Sequence, residues 1–219
     1  MIKKAVVFDL DGTLLDTLCD IANAVNHLLR SHGLPERSIS EIREYLGNGA
    51  RYLIARSLPC QFDDETFEEY LAEYVEYYNA NSSVETKPYD GVPELLGGLK
   101  ARGIYTAIVS NKPDGAVREL SRRYFGDLVD FAVGDRQDIA RKPSADPVMY
   151  ALKALGCHEA VFVGDSEVDV LTAKNAGLTC ISLTWGFRDR DQLEKSGAEI
   201  FASNADELRN AIFENLGVE

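Results

Sequence analysis

KAVVFDLDGT, residues 4–13, sets four apolar residues, two of them β-branched and one aromatic, directly before the pair Asp9-x-Asp11 and a glycine. A short run of that composition reads as a buried strand over 4–10 that breaks sharply at Gly12. The same theme returns further along. Helical periodicity over 92–101 leads into a strand at 104–109, then helix 114–124 and strand 128–133. Asp146, as N-cap, and Pro147 at the first helical position open helix 147–155, followed by strand 160–163 and helix 167–176, which ends at Gly177. Strand 179–183 and helix 205–216 complete the series. Strands alternating with helices of about ten residues predict an α/β fold, a Rossmann-like parallel sheet with helices on both faces.

The stretch between the first strand and the rest is different. Leu18, Ile21, Ala22, Val25, Leu28 and Leu29 recur at helix spacing until Gly33 and Pro35. Ser38 and Ser40 can cap a short helix to Leu46, and Gly47-Asn48-Gly49 breaks it. Another helix follows to Ser57, and Phe67, Leu71, Tyr74, Val75 and Tyr78 mark one from about Asp64 to Ala80. No strand is expected in 16–82. The chain therefore divides into an α/β part, 1–15 with 83–219, and a helical insertion, 16–82.

Composition narrows the function. With 219 residues and 45% hydrophobic residues, the chain can bury a sizeable core. Its 23 basic and 36 acidic residues give a net charge of −13. Such a surface repels nucleic-acid backbones and anionic membranes, so neither is an expected partner. No stretch nears the roughly 20 apolar residues of a membrane span, and the acids at Asp9 and Asp11 interrupt any signal-peptide core. The four cysteines are scattered with no C-x-x-C pair, as free thiols in a reducing compartment are, so a cytoplasmic location is expected. Three scattered histidines argue against a zinc site.

In an open parallel sheet, functional groups collect beyond the carboxyl ends of the strands. Four such ends carry polar residues here. Asp9 and Asp11 leave the first strand together, and two close carboxylates call for a hard divalent cation such as Mg²⁺. An EF-hand loop starting at Asp9 fails at its sixth and twelfth positions, Leu14 and Asp20, and no G-x-G-x-x-G follows this strand. Ser110-Asn111-Lys112 follows the second strand, where a hydroxyl and backbone N–H groups suit a phosphoryl group. Arg141-Lys142-Pro143 presents Lys142 as a point charge on a stiff turn. Gly164-Asp165 ends a further strand, with Asp169 one helical turn onward.

Taken in order, these motifs resemble those of the haloacid dehalogenase superfamily of phosphohydrolases, along essentially the whole chain. The matching residues are Asp9-Leu10-Asp11-Gly12-Thr13, Ser110, Lys142, and Gly164-Asp165 with Asp169. Gly47-Asn48-Gly49-Ala50-Arg51 and Thr184-Trp185-Gly186-Phe187 are similar to the phosphoglycolate phosphatase branch, and the insertion corresponds to a helical cap. The resemblance implies an Mg²⁺-dependent phosphatase in which Asp9 attacks phosphorus, forming an aspartyl-phosphate, and Asp11 is the acid and base. The metal would be held by Asp9, the Asp11 backbone carbonyl and Asp165. Ser110, the Asn111 N–H and Lys142 would bind phosphate oxygens, and Asp169 would orient Lys142 or metal-bound water.

The substrate so implied is a small anionic phosphorylated metabolite, 2-phosphoglycolate first, with the protein a monomer or homodimer. A pyrophosphatase, a nucleotide phosphatase or a sugar-phosphate mutase are the alternatives within the superfamily. A non-catalytic relative or a phosphoacceptor signalling domain would not need all five of Asp9, Asp11, Ser110, Lys142 and Asp165. In the cap, Gly47, Asn48, Gly49 and Arg51 are candidates for meeting the glycolate carboxylate. Alternatively, the glycines only join two helices and Arg51 pairs with an acid such as Glu44.

Overall fold

The computed structural model describes residues 2–218. In chain order its elements are β1 (Lys4–Phe8), β2 (Leu15–Asp16), α1 (Leu18–Ser31), α2 (Ile39–Tyr45), α3 (Ala50–Ser57), α4 (Asp64–Asn81), β3 (Lys87–Pro88), α5 (Val92–Ala101), β4 (Tyr105–Pro113), α6 (Asp114–Tyr124), β5 (Phe131–Asp135), α7 (Asp146–Leu155), β6 (Glu159–Gly164), α8 (Glu167–Ala176), β7 (Thr179–Leu183), α9 (Arg190–Lys195), β8 (Ile200–Ala202) and α10 (Ala205–Leu216). Six strands form one sheet in the order β5-β4-β1-β6-β7-β8, and every pairing in it is parallel.

The first strand shows why the sheet is covered on both faces. Val6 and Phe8 point into a cluster with Val92, Leu96 and Leu99 of α5 and Leu208, Ile212 and Leu216 of α10. Ala5 and Val7, one residue out of phase, enter the opposite cluster with Val148, Ala151 and Leu152 of α7 and Ala173 of α8. All four are fully buried. Alternation across the pleat thus places every side chain of KAVVF after Lys4 in a core, each large one contributing about 1.5–3 kcal/mol on burial.

Helices α1–α4 enclose a cluster of their own, built on Ile21, Val25, Leu28, Leu29, Ile42, Leu53, Ile54, Tyr74 and Tyr78, which Ala116 and Phe187 join from the sheet side. Ser38 and Glu41 form a capping box on α2, and Asp63 caps α4 by accepting from the Thr66 N–H at 3.0 Å. The turn from α2 to α3 uses Gly47 (φ 101°) and Gly49 (φ 82°), a left-handed geometry that favours glycine. The two chain crossings into this block are tied by Asp20, whose buried carboxylate accepts the N–H groups of Val84, Glu85 and Thr86 at 2.9–3.1 Å. No helix among the described residues is long and apolar enough to cross a membrane.

Several expectations need correction. β4 does not stop at Val109 but continues to Pro113 after a register shift, so Ser110, Asn111 and Lys112 lie in extended, buried backbone rather than in a loop. The strand expected at 128–133 starts only at Phe131, after a 3₁₀ turn over Gly126–Leu128. Asp146 is the first residue of α7 rather than its N-cap, which is Ala145. The antiparallel pair β2–β3, with Asp16 inside the span expected to lack strands, and the short α9 and β8 were not foreseen. Strands of two or three residues and a helix of less than two turns show too little periodicity to register in sequence.

Candidate active site

The chain leaves β1 toward β4 on one side of the sheet, and leaves β6 toward β7 on the other. The strand order therefore reverses between β1 and β6, which is where a parallel sheet opens a crevice at its carboxyl ends. Asp9 follows β1 and Asp165 follows β6, so the two carboxylates flank that crevice. The Asp9 N–H donates to the Val163 carbonyl at 2.9 Å, extending the ladder by one residue and fixing where the Asp9 side chain starts.

Lys142 lies between two acids. Its Nζ is 2.9 Å from Asp9 Oδ1 and 2.7 Å from Asp169 Oδ1, with the lysine side chain 2% exposed. The other Asp169 oxygen accepts from the N–H groups of Asp165 (3.2 Å) and Ser166 (3.0 Å) and from Ser166 Oγ (2.6 Å). Asp169 therefore orients Lys142, and both of its oxygens are committed. Asp165 is fixed as firmly: Thr13 Oγ1 donates to its Oδ1 at 2.8 Å and the Phe187 N–H to its Oδ2 at 2.7 Å. Backbone crowds it from both sides, since a Cβ on Gly12 would lie 2.4 Å from Asp165 Oδ2 and one on Gly186 would lie 2.3 Å from its Cβ.

One carboxylate oxygen each of Asp9, Asp165 and Asp169 lies within 4.8 Å of the others. Three buried carboxylates face one ammonium, and removal from water penalises the excess negative charge. Burial raises the Asp9 carboxyl to about 7 despite the opposing pull of Lys142, and raises Asp165 to about 8, with Asp169 adding to the shift. Burial alone would lower the pKa of Lys142, but the charges of Asp169 and Asp9 raise it and hold the side chain as ammonium. This donor set, all oxygen and short of positive charge, fits a divalent cation held by Asp9 and Asp165.

A stability consequence follows. A carboxyl whose folded pKa exceeds its unfolded value of about 4 keeps a proton that the unfolded chain releases. Stability of the metal-free protein should thus decline as pH rises from about 4 through 8. In chelator, the Tm is expected to be lower at pH 8 than at pH 6, and millimolar Mg²⁺ is expected to raise it more at pH 8. A Tm that rises over this range in chelator would refute the buried-charge account.

The remaining sequence candidates are placed as follows. Ser110 is buried at the end of the apolar part of β4, its Oγ accepting from the Lys112 N–H at 3.3 Å. Asn111 donates through Nδ2 to the Gly47 carbonyl at 3.1 Å and the Lys142 carbonyl at 3.0 Å, bridging the helical insertion and the Lys142 turn. The Asp11 carboxylate turns to Lys112, whose Nζ lies 2.7 and 2.9 Å from its two oxygens. A cleft of about 50 Å³, room for a few water molecules, lies between Asp9, Asp11, Ser110, Asn111 and Lys112 on the sheet side and Leu46, Gly47, Gly49, Leu53, Tyr74 and Tyr78 on the insertion.

Arg51 does not join them. Its guanidinium pairs with Glu68, rather than Glu44, and lies 5.1 Å from the Phe67 ring centroid, on an outer face with the side chain 54% exposed. Asn48 is likewise not among the residues lining the cleft. Arg51→Ala is expected to change kcat/KM for any substrate less than about threefold, as exposed ion pairs contribute little. A tenfold selective loss would return Arg51 to the site.

Two side chains make contacts that the sequence reading did not assign them. Lys112 was legible as a charge ending an apolar run. Arg188 was not: from the loop after β7 its guanidinium donates to the carbonyls of Arg43 (3.1 Å) and Leu46 (2.8 Å) and pairs with Glu167 (2.8 Å), while Arg43 donates back to the Gly186 carbonyl at 3.0 Å. This exchange closes the insertion against the loop that holds Asp165.

Comparison with known proteins shows the family. The family model of haloacid dehalogenase-like hydrolases matches residues 6–183. The chain belongs to that family. Phosphoglycolate phosphatase 1 of Pseudomonas aeruginosa is 34% identical over 215 residues, covering 94% of this chain and 79% of the relative. A phosphoglycolate phosphatase of Aquifex aeolicus is 36% identical over 191 residues, covering 84% and 86%. The crystal structure of a candidate phosphoglycolate phosphatase from Lactobacillus delbrueckii subsp. bulgaricus superposes with a TM-score of 0.89 at 31% identity, covering 97% of this chain and 99% of that one. These likenesses place this haloacid dehalogenase-like hydrolase among the phosphatases of its family.

Proposed function

We propose that the protein hydrolyses a small phosphomonoester, 2-phosphoglycolate, through an aspartyl-phosphate on Asp9, with Mg²⁺ as its metal and α1–α4 as a cap over the site. The observation that carries this reading is the convergence of Asp9, Lys142 and Asp165 at the β1–β6 switch point, beside a cleft walled by the helical insertion. The names of the relatives support the choice of substrate.

In the first half-reaction an Asp9 carboxylate oxygen attacks phosphorus, the bond to the leaving oxygen breaks, and Asp11 gives that oxygen its proton. In the second, Asp11 takes a proton from water, the water oxygen attacks phosphorus, and the Asp9–phosphorus bond breaks to release phosphate. Lys142 offsets negative charge on Asp9 and the transferring group, while Asp169 holds Lys142 in place. Ser110 and the Asn111 N–H take phosphate oxygens. Asp9, Asp165 and the Asp11 carbonyl would hold a Mg²⁺ ion, which would supply charge neutralisation at the transferring group. The apolar walls, Leu46, Leu53 and Tyr74, keep bulk water from the cleft.

The test is a screen of phosphorylated metabolites with Mg²⁺ near neutral pH. Hydrolysis of 2-phosphoglycolate well above other substrates supports the reading; a pyrophosphate-only profile overturns it. Activity should vanish in chelator, return with Mg²⁺ and recover poorly with Ca²⁺, whose longer bonds and larger coordination number misplace the nucleophile. Full activity in chelator would remove the metal from the scheme.

A further inference from the structure

Among the described residues lining the cleft, Lys112 is the one cationic side chain. Its side chain is 5% exposed, and its Nζ lies 4.5 Å from the centroid of the Tyr78 ring of α4, on the insertion side. Two of its three N–H donors are taken by the oxygens of Asp11. Among the described residues the third has no hydrogen-bond partner, only the tyrosine face. An ammonium so deep in a chain of net charge −13 lies where it can select an anion. Arg51, the other cation considered for that task, is turned outward to Glu68.

We infer that Lys112 is a specificity residue that receives a carboxylate carried on the carbon next to the bridging oxygen of the substrate. The inference rests on the phosphomonoesterase reading and deepens it. Asp11, as the group that protonates the leaving oxygen, must lie against that oxygen. Lys112 Nζ is 2.7 and 2.9 Å from the Asp11 carboxylate, so it stands one small group further out. A carboxylate one methylene beyond the bridging oxygen spans that step, whereas a longer leaving group carries its charge past the ammonium into the wall formed by Leu53, Tyr74 and Tyr78. The tyrosine face shields the ammonium from water and strengthens its hold on an anion in the cleft.

The decisive comparison uses two substrates of nearly equal shape, 2-phosphoglycolate and its neutral amide, 2-phosphoglycolamide, with the parent protein and Lys112→Met. A hydrogen bond between charged groups in a dry site corresponds to about 10- to 150-fold in kcat/KM. The parent should prefer the acid by that factor, and Lys112→Met should lose the preference while both substrates suffer equally from any disturbance of Asp11. Equal use of acid and amide by the parent overturns the inference even if Lys112→Met fails to fold. A preference that survives Lys112→Met in a folded variant, checked by thermal melting, overturns it as well. Turnover of 2-phospholactate but not 2-phosphoglycolate would defeat the proposed substrate and leave the role of Lys112 standing, because the two carboxylates sit at the same position.

Discussion

Asp9→Asn is expected to lower kcat by at least about 10⁴-fold, in keeping with the loss of a nucleophile elsewhere. Asparagine fills the same volume at the end of β1 and can still accept from Lys142, so the sheet and the Leu10 N–H contact should survive. What disappears is the anionic oxygen that must form a bond to phosphorus. The change also relieves the crowding of three carboxylates around one ammonium, so the variant should melt no lower than the parent in chelator. Steady-state phosphate release together with acid-quenched labelling by ³²P-substrate tests both halves: the parent should trap label on protein and the variant should not. Turnover within tenfold of the parent would exclude a covalent intermediate on Asp9.

The second large effect comes from a residue with no chemistry of its own. Gly186→Ala is expected to reduce kcat/KM by about 100-fold or more and to raise the Mg²⁺ concentration needed for half activity. A methyl at this position would lie 2.3 Å from Asp165 Cβ and 2.4 Å from its Oδ2, so the carboxylate or the loop must move. Misplacement by about an ångström is enough to cost that much in rate. The adjacent Phe187 N–H donates to Asp165, and Phe187 itself packs into the helical insertion. A shift of the loop therefore reaches both the carboxylate proposed to hold the metal and the packing of the helical insertion. Titrating activity against Mg²⁺ in the parent and the alanine variant separates the two: an unchanged requirement with unchanged kcat/KM would show that the loop absorbs the methyl elsewhere.

Residues adjacent in sequence carried most of what could be read without a structure. The alternation in KAVVF, the spacing of the later strands and helices, and the apolar stripes of α1 and α4 are local patterns. Each encodes which faces must be buried, and together they specify a parallel α/β sheet with a helical insertion. Asp9, Ser110 and Asp165 were legible for the same reason, since each stands at the end of an apolar run, while Lys142 was legible as a charge beside a proline turn. Tertiary structure alone decided how these ends meet. The reversal of strand order between β1 and β6 brings Asp9 to Asp165 and Lys142, and no local pattern encodes strand order. Partner choice was equally out of reach. Arg51 found Glu68 on the next helix, Asp11 found Lys112 across the sheet, and Arg188 found the carbonyls of Arg43 and Leu46, each across a separation set by packing. A charge in a sequence shows that a partner is needed; only the folded chain determines which one comes within about 3 Å, because electrostatic pairing depends on distance and burial rather than on order along the chain.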